Sequence, residues 1–236
     1  MDEWRWARQR LADLKSKAGA TRSRTLRIAL ALREPVTGRT LQARGAVALA
    51  PPSALRMILL GPGGTTALDL WSKGDRFRFE VPAIDLLRRG DARTSRQQMR
   101  GLPVGFLRWW LLRPLDGQLA WHQREAGGDR FVLRDGDVIV RAFVADDGRI
   151  TARRTTPGRG GAPADEETVS AARLGCATAR YTQSSTGLDI VVRCEGEETS
   201  KPPDPRAFED PDGGAASQRA QERPAAPRHQ GKEVAR

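Results

Sequence analysis

The chain has 236 residues, 29% of them charged, with a formal net charge of +11, two cysteines and two histidines. That length allows one large domain or a domain with tails, and a sizeable core. No stretch reaches the roughly 18 apolar residues of a membrane-spanning helix, and two histidines poorly supply a His-based acid–base or zinc site. The charge suggests an anionic partner. However, 35 of the 40 basic residues are Arg, spread along the chain rather than gathered in a stripe. A generic basic surface is therefore favoured over a nucleic-acid site, and it could lie against anionic lipid headgroups.

Asp2 to Lys17 predicts an amphipathic helix, with acids at its start and Lys15 and Lys17 at its end, as the macrodipole prefers. Trp4, Ala7 or Arg8, Leu11 and Leu14 follow helical spacing. An interfacial membrane helix anchored by Trp4 and Trp6 is one reading. A helix packed on the outside of a sheet is favoured, because the apolar stripe is narrow. No signal-peptide core precedes it, so taken literally the chain is cytoplasmic.

Residues 24–82 alternate strictly and predict five antiparallel strands with one continuous apolar face. Leu26, Ile28 and Leu30 lie on that face in the first strand, and Val47 and Leu49 in the second. Pro51-Pro52-Ser53 breaks the chain, since proline cannot donate to a ladder. Leu55, Met57 and Leu59 follow, then Leu68 and Leu70, then Phe77 and Phe79, separated by Gly61-Pro62-Gly63-Gly64 and Ser72-Lys73-Gly74. An apolar face of this extent has to be covered.

Residues 101–115, GLPVGFLRWWLLRPL, form the most apolar segment. Pro103 suits a helix start and Pro114 a helix end. Phe106, Leu107, Trp109 and Trp110 leave only Arg108 polar among them, so this helix is buried or wetted by lipid. A movable lid and a fixed plug fit the residues equally well. Strand patterning returns at 118–155, with Asp135-Gly136 as a hairpin signal, and 157–165 predicts a flexible loop. A hairpin centred on Ser185 would set Cys176 opposite Cys194 and Tyr181 opposite Asp189, within bridging reach. A disulfide and an oxidising compartment are expected from that pairing, against two free thiols in a cytosolic protein. From Thr199 on, six of the 15 prolines and mixed charges predict disorder.

Catalytic signatures are missing. Gly61 to Gly64 lacks the Gly-Lys-Ser/Thr and helix of a phosphate loop. Asp85, Asp91, Asp135 and Asp137 make no recognisable carboxylate pair, and no Gly-x-Ser-x-Gly elbow occurs. The expectation is a non-enzyme with no cofactor and no metal.

The strand order, the Pro-containing break, the stretch LRMILLGPGG and the following ALDLWSKGDRFRFEVP resemble the LolA/LolB superfamily of lipoprotein carriers and receptors. LolB-like outer-membrane lipoproteins are the nearest likeness, over roughly residues 11–154. The resemblance implies a mainly β fold, a curved antiparallel incomplete half-barrel covered by helices. Its parts would be an N-terminal helix region 1–23, a half-barrel 24–198 with a lid near 104–112, and a disordered tail 199–236. It further implies that acyl chains or a lipidated protein sit in a cavity lined by the twelve strand residues just named and closed by Phe106, Leu107, Trp109 and Trp110. A monomer in the periplasm is expected, outer-membrane-anchored in a longer form, since members carry a lipidated Cys before the first helix and none precedes Cys176 here. A structural envelope protein of the same fold with a filled core is the alternative. Two positions depart from the family pattern. Ala50 or Pro51 stands where the carrier has an Arg, and Gly61 to Thr65 lacks the receptor's protruding Leu.

Overall fold

The period-two runs are strands of a single antiparallel sheet in the computed structural model, which describes residues 2–19, 21–33, 38–95, 98–99, 101–158, 163–198 and 201–213. Helix α1 (Asp2–Lys17) precedes β1 (Arg24–Arg33), β2 (Thr40–Ala50), β3 (Ala54–Leu60), β4 (Thr66–Lys73), β5 (Arg76–Val81) and β6 (Leu86–Gly90). A short helix α2 runs over Val104–Leu107 and continues as wider π turns through Arg108–Leu112. Then follow β7 (Gln118–Glu125), β8 (Gly128–Asp135), β9 (Val138–Ala145), β10 (Ile150–Pro157), β11 (Pro163–Ala171), β12 (Ala179–Gln183) and β13 (Leu188–Glu198). The 13 strands among the described residues stand in the order β6-β5-β4-β3-β2-β1-β13-β12-β11-β10-β9-β8-β7.

This order is two meanders set back to back. The first steps outward from β1 to β6. The second steps inward from β7 to β13, which lands beside β1 with Leu30 opposite Val192. Edge strands β6 and β7 do not pair with each other, so the sheet is open. The link from β6 to β7 therefore has to travel from one edge of the sheet to the other. It crosses the apolar face, and α2 lies on that crossing.

Alternation fixes which side chains share the face. Met57 is opposite both Val47 and Leu70, Leu70 is opposite Phe79, and Leu133 is opposite Val140. Each Leu, Ile or Phe fully buried there contributes about 1.5–3 kcal/mol. Tight hairpins hold the register. Gly74 (φ 58°) and Gly136 (φ 62°) open two-residue loops in the left-handed region, which costs glycine nothing.

Several expectations need correction. Helix α1 packs on the core face rather than outside the sheet. Its stripe is Ala7, Leu11 and Leu14, continued by Ala18 just past its last residue, all buried, while Trp4 and Trp6 are exposed. Arg10 of α1 donates to Asp129 at 2.9 Å, and Asp129 shares its face of β8 with Phe131 and Leu133. Two alanines in the stripe allow a close approach that a search for large apolar residues overlooks. Residues 163–165, expected in a loop, begin β11; 159–162 lie outside the described residues. The β12–β13 register is one residue off. Its four-residue loop, 184–187, puts Gln183 opposite Leu188 and Tyr181 opposite Ile190. The Cys176–Cys194 disulfide still forms, with Cα atoms 5.1 Å apart, from the bend before β12 rather than from the ladder.

The expected disordered tail is also corrected for residues 201–213. Pro205–Phe208 is a 3-10 turn capped by Asp204, whose side chain accepts from the Arg206 N–H. Phe208 is buried, and its carbonyl accepts from Trp71 Nε1 at 3.2 Å. Asp210 pairs with Arg76, and Asp212 pairs with Arg89 at 2.6 Å. Trp71 lies on the face opposite Leu70 and Ser72, so this segment straps the outer side of β3 to β5. Complementary partners more than a hundred residues away carry no local composition signal. Residues 214–236 lie outside the described residues.

Candidate functional site

The residues of the apolar face and its closing helix come together as expected. Leu26, Ile28, Leu30, Val47, Leu49, Leu55, Met57, Leu59, Leu68, Leu70, Phe77 and Phe79 join Phe106, Leu107, Trp109 and Trp110 in one cluster, none more than 5% exposed. Leu26, Ile28, Leu55, Met57, Leu59 and Leu70 have no accessible surface at all. In this conformation α2 fills the space against them.

The strand residues expected to line the site end at Phe79. The second meander adds Phe131, Leu133, Val140, Ala142, Val169, Tyr181, Ile190 and Val192 to the same cluster. The signal was the same alternation, but nothing local says that these strands face the first set.

Local chemistry explains the form of α2. Leu107 N–H donates to the Pro103 carbonyl at 2.8 Å, an ordinary helical turn. Arg113 N–H then reaches back to Arg108 at 2.9 Å, a five-residue step. Pro114 ends the run. Widened turns of this kind are rare and concentrate at functional sites. The approach to α2 is pinned where Gly101 N–H donates to Gln183 Oε1 at 3.1 Å, and the Gln183 amide donates to Asp165 at 2.5 Å.

Helix α2 bridges the two meanders. Its π turns touch β2 and β3, and Arg108 donates to the Gly74 carbonyl in the β4–β5 loop. On the other flank Phe106 stacks on Tyr181 of β12, with ring centroids 4.4 Å apart and planes at 15°. Arg154 of β10 lies over the Trp109 ring at 5.7 Å. This one short segment thus touches strands of both meanders, β2 and β3 on one flank and β10 and β12 on the other.

A polar network underlies the second flank. Arg154 donates to Glu167 at 2.6 Å, and the Tyr181 hydroxyl donates to the other oxygen of the same carboxylate at 2.8 Å. Burial, then the Glu167 charge and hydrogen bond, push the Tyr181 hydroxyl far above its ordinary pKa, so it stays a donor. Burial pulls the Arg108 guanidinium below its ordinary value, with Arg113 adding to the effect. The indole N–H groups of Trp109 and Trp110 and the Nε of Arg108 and Arg154 are buried without a hydrogen-bond partner among the described residues. The network was not legible in sequence, because Arg154, Glu167 and Tyr181 stand on three different strands.

No protein-family profile and no curated protein matches the sequence. The fold does have solved counterparts. A LolA superfamily protein from Nitrosomonas europaea superposes with a TM-score of 0.50 at 12% identity, over 86% of this chain and 97% of that one. The chain has the LolA-superfamily fold. A domain described as an outer membrane lipoprotein-sorting protein, from Vibrio parahaemolyticus, scores 0.49 at 11% identity over 85% and 95% of the two chains. A DUF1329 family protein from Desulfovibrio piger scores 0.47 at 12% identity over 84% and 94%.

At such identity the likeness to the LolA superfamily is one of fold. Coverage of nearly the whole Nitrosomonas protein means that both meanders, not one half of the sheet, belong to the shared architecture. Within the LolA fold of this chain, α2 and α1 cover the apolar face, and the strap of residues 201–213 lies on the opposite side of the sheet.

Proposed function

We propose that the protein is a non-catalytic lipid- or lipoprotein-binding module of the periplasm, outer-membrane-anchored in a longer form. In this reading the sheet is an incomplete half-barrel, α2 is its lid, and acyl chains are held between α2 and the apolar face. The LolA-superfamily fold supports it, as does the Cys176–Cys194 disulfide, which suits an oxidising compartment.

One observation carries the reading. The centre of a 13-strand apolar face is covered not by a second sheet but by a four-residue helix and five π-turn residues on a single crossing link. Burying a methylene contributes about 0.8 kcal/mol, so a sixteen-carbon chain gains roughly 10 kcal/mol from burial alone. A ligand that gains this much on entering beneath α2 can shift the balance between closed and open forms.

A second reading, an envelope interaction protein with a permanently filled core, is favoured by the lack of accessible surface on the lining. Extraction of the purified protein with organic solvent, followed by mass spectrometry and a fluorescent fatty-acid titration, separates the two. The carrier reading expects co-purifying lipid or saturable binding. It also expects loss of uptake in a folded Met57→Arg or Leu70→Arg variant. A folded sample with neither lipid nor binding would establish α2 as a fixed plug.

A further inference from the structure

Beside α2 a cleft of about 90 Å³ opens to solvent, lined by Gly105, Arg108, Trp109, Arg113, Asp116, Asp135 and Arg154. Its volume is about that of three liquid waters, enough for a carboxylate or phosphate group and little more. Arg108 Nε, Trp109 Nε1 and Arg154 Nε, all on residues of this lining, are buried without an acceptor. Unsatisfied buried donors are uncommon in folded proteins, and each calls for an explanation. Three around one small cleft share the simplest one, a missing acceptor.

The charges in the lining point the same way. Asp116 pairs with Arg113 at 3.4 Å. Arg154 is held by Glu167 at 2.6 Å, with Asp135 at 3.8 Å. Arg108 is left with the Gly74 carbonyl and no carboxylate within salt-bridge distance among the described residues. Trp109 lines the cleft and also belongs to the apolar cluster, so a group seated here would lead directly into the core.

We infer that this cleft seats the anionic end of the bound lipid, a carboxylate or phosphate, with Arg108 as its cation and Trp109 and Arg154 as further donors. The inference rests on the acyl-binding reading and adds polar selectivity to it. The phosphate or carboxylate arrives attached to the acyl chain, so a free ion is not the ligand.

Titrating the full chain with palmitate, hexadecyl phosphate, hexadecanol and inorganic phosphate, read by tryptophan fluorescence and calorimetry, tests this. Palmitate and hexadecyl phosphate should bind at least about tenfold tighter than hexadecanol, as a charge-assisted hydrogen bond predicts. Inorganic phosphate should not compete. Arg108→Gln should bring the acid and alcohol affinities to within about twofold of each other, while Arg108→Lys should keep part of the preference, and circular dichroism checks the fold of each. Equal affinity for acid and alcohol would overturn the cleft as an anion seat and leave acyl binding intact. Equal loss of both in the variants, or inorganic phosphate binding as tightly as hexadecyl phosphate, would overturn it too. Absence of binding by any long-chain compound would overturn the acyl-binding reading itself.

Discussion

Asp129 shows how much one side chain decides. Its carboxylate is fully buried on the core face of β8 and receives Arg10, Arg124 and His122 at 2.9, 3.3 and 3.2 Å. Burial pushes its pKa up, but the hydrogen bonds from Arg10 and His122 and the charges of Arg10 and Arg124 outweigh that, so it lies below the ordinary value. A depressed pKa contributes stability that is complete above the ordinary carboxylate range and is lost as pH falls through the folded value. Asp129→Asn should therefore flatten the acid limb of a stability–pH curve. It should also cost about 3 kcal/mol near neutrality in urea denaturation, because Arg10 would lose its partner. Trp110 makes a second case, being 1% exposed with an unpartnered indole N–H. Trp110→Ala should cost about 3–5 kcal/mol. Trp110→Phe should cost much less in the same measurement, since it also removes an unsatisfied donor. Sequence marks Trp110 as buried through its apolar neighbours, but it holds no sign that the indole N–H lacks an acceptor.

Among the elements, the strap of residues 201–213 departs most from expectation. Proline and charge suggest a solvated tail, and the segment contributes a single large apolar side chain, Phe208. The outer face of β4 and β5 supplies what the segment lacks: Trp71 to cover, and Arg76 and Arg78 to pair. Arg78 faces Asp212 at 3.4 Å while also serving Glu80 at 2.8 Å. Phe208→Ala should lower stability by about 3 kcal/mol and speed tryptic cleavage after Arg206, as gel-resolved limited proteolysis would show. An unchanged cleavage rate would mean that the acidic pairs alone hold the strap. Strands β1 to β5, by contrast, were legible residue by residue. Their alternation is strict, and each boundary is a Gly or Pro turn that local sterics enforce.

At the scale of the whole molecule, the disulfide ties the start of the β12–β13 hairpin to β13, which is the strand that joins the two meanders. It closes a loop of 18 residues. A Cys176→Ser/Cys194→Ser double variant should lose about 3 kcal/mol by the chain-entropy account, seen as a lower melting temperature that reductant does not lower further. By itself the sequence determined the strands of 24–81 and of 118–155, one apolar face, the buried character of 104–112 and the pairing of the two cysteines. The strands, the face and the buried segment follow from side-chain period and from proline and glycine sterics; the hairpin count brought the cysteines near each other although its register was one residue off. Only the tertiary structure decided that β13 pairs with β1, that the β6-to-β7 link must cross the face, that α1 lies on the core side, and that the strap covers Trp71. Those choices depend on which distant surfaces are complementary, and periodicity repeats the same apolar pattern on every strand without saying which two will meet.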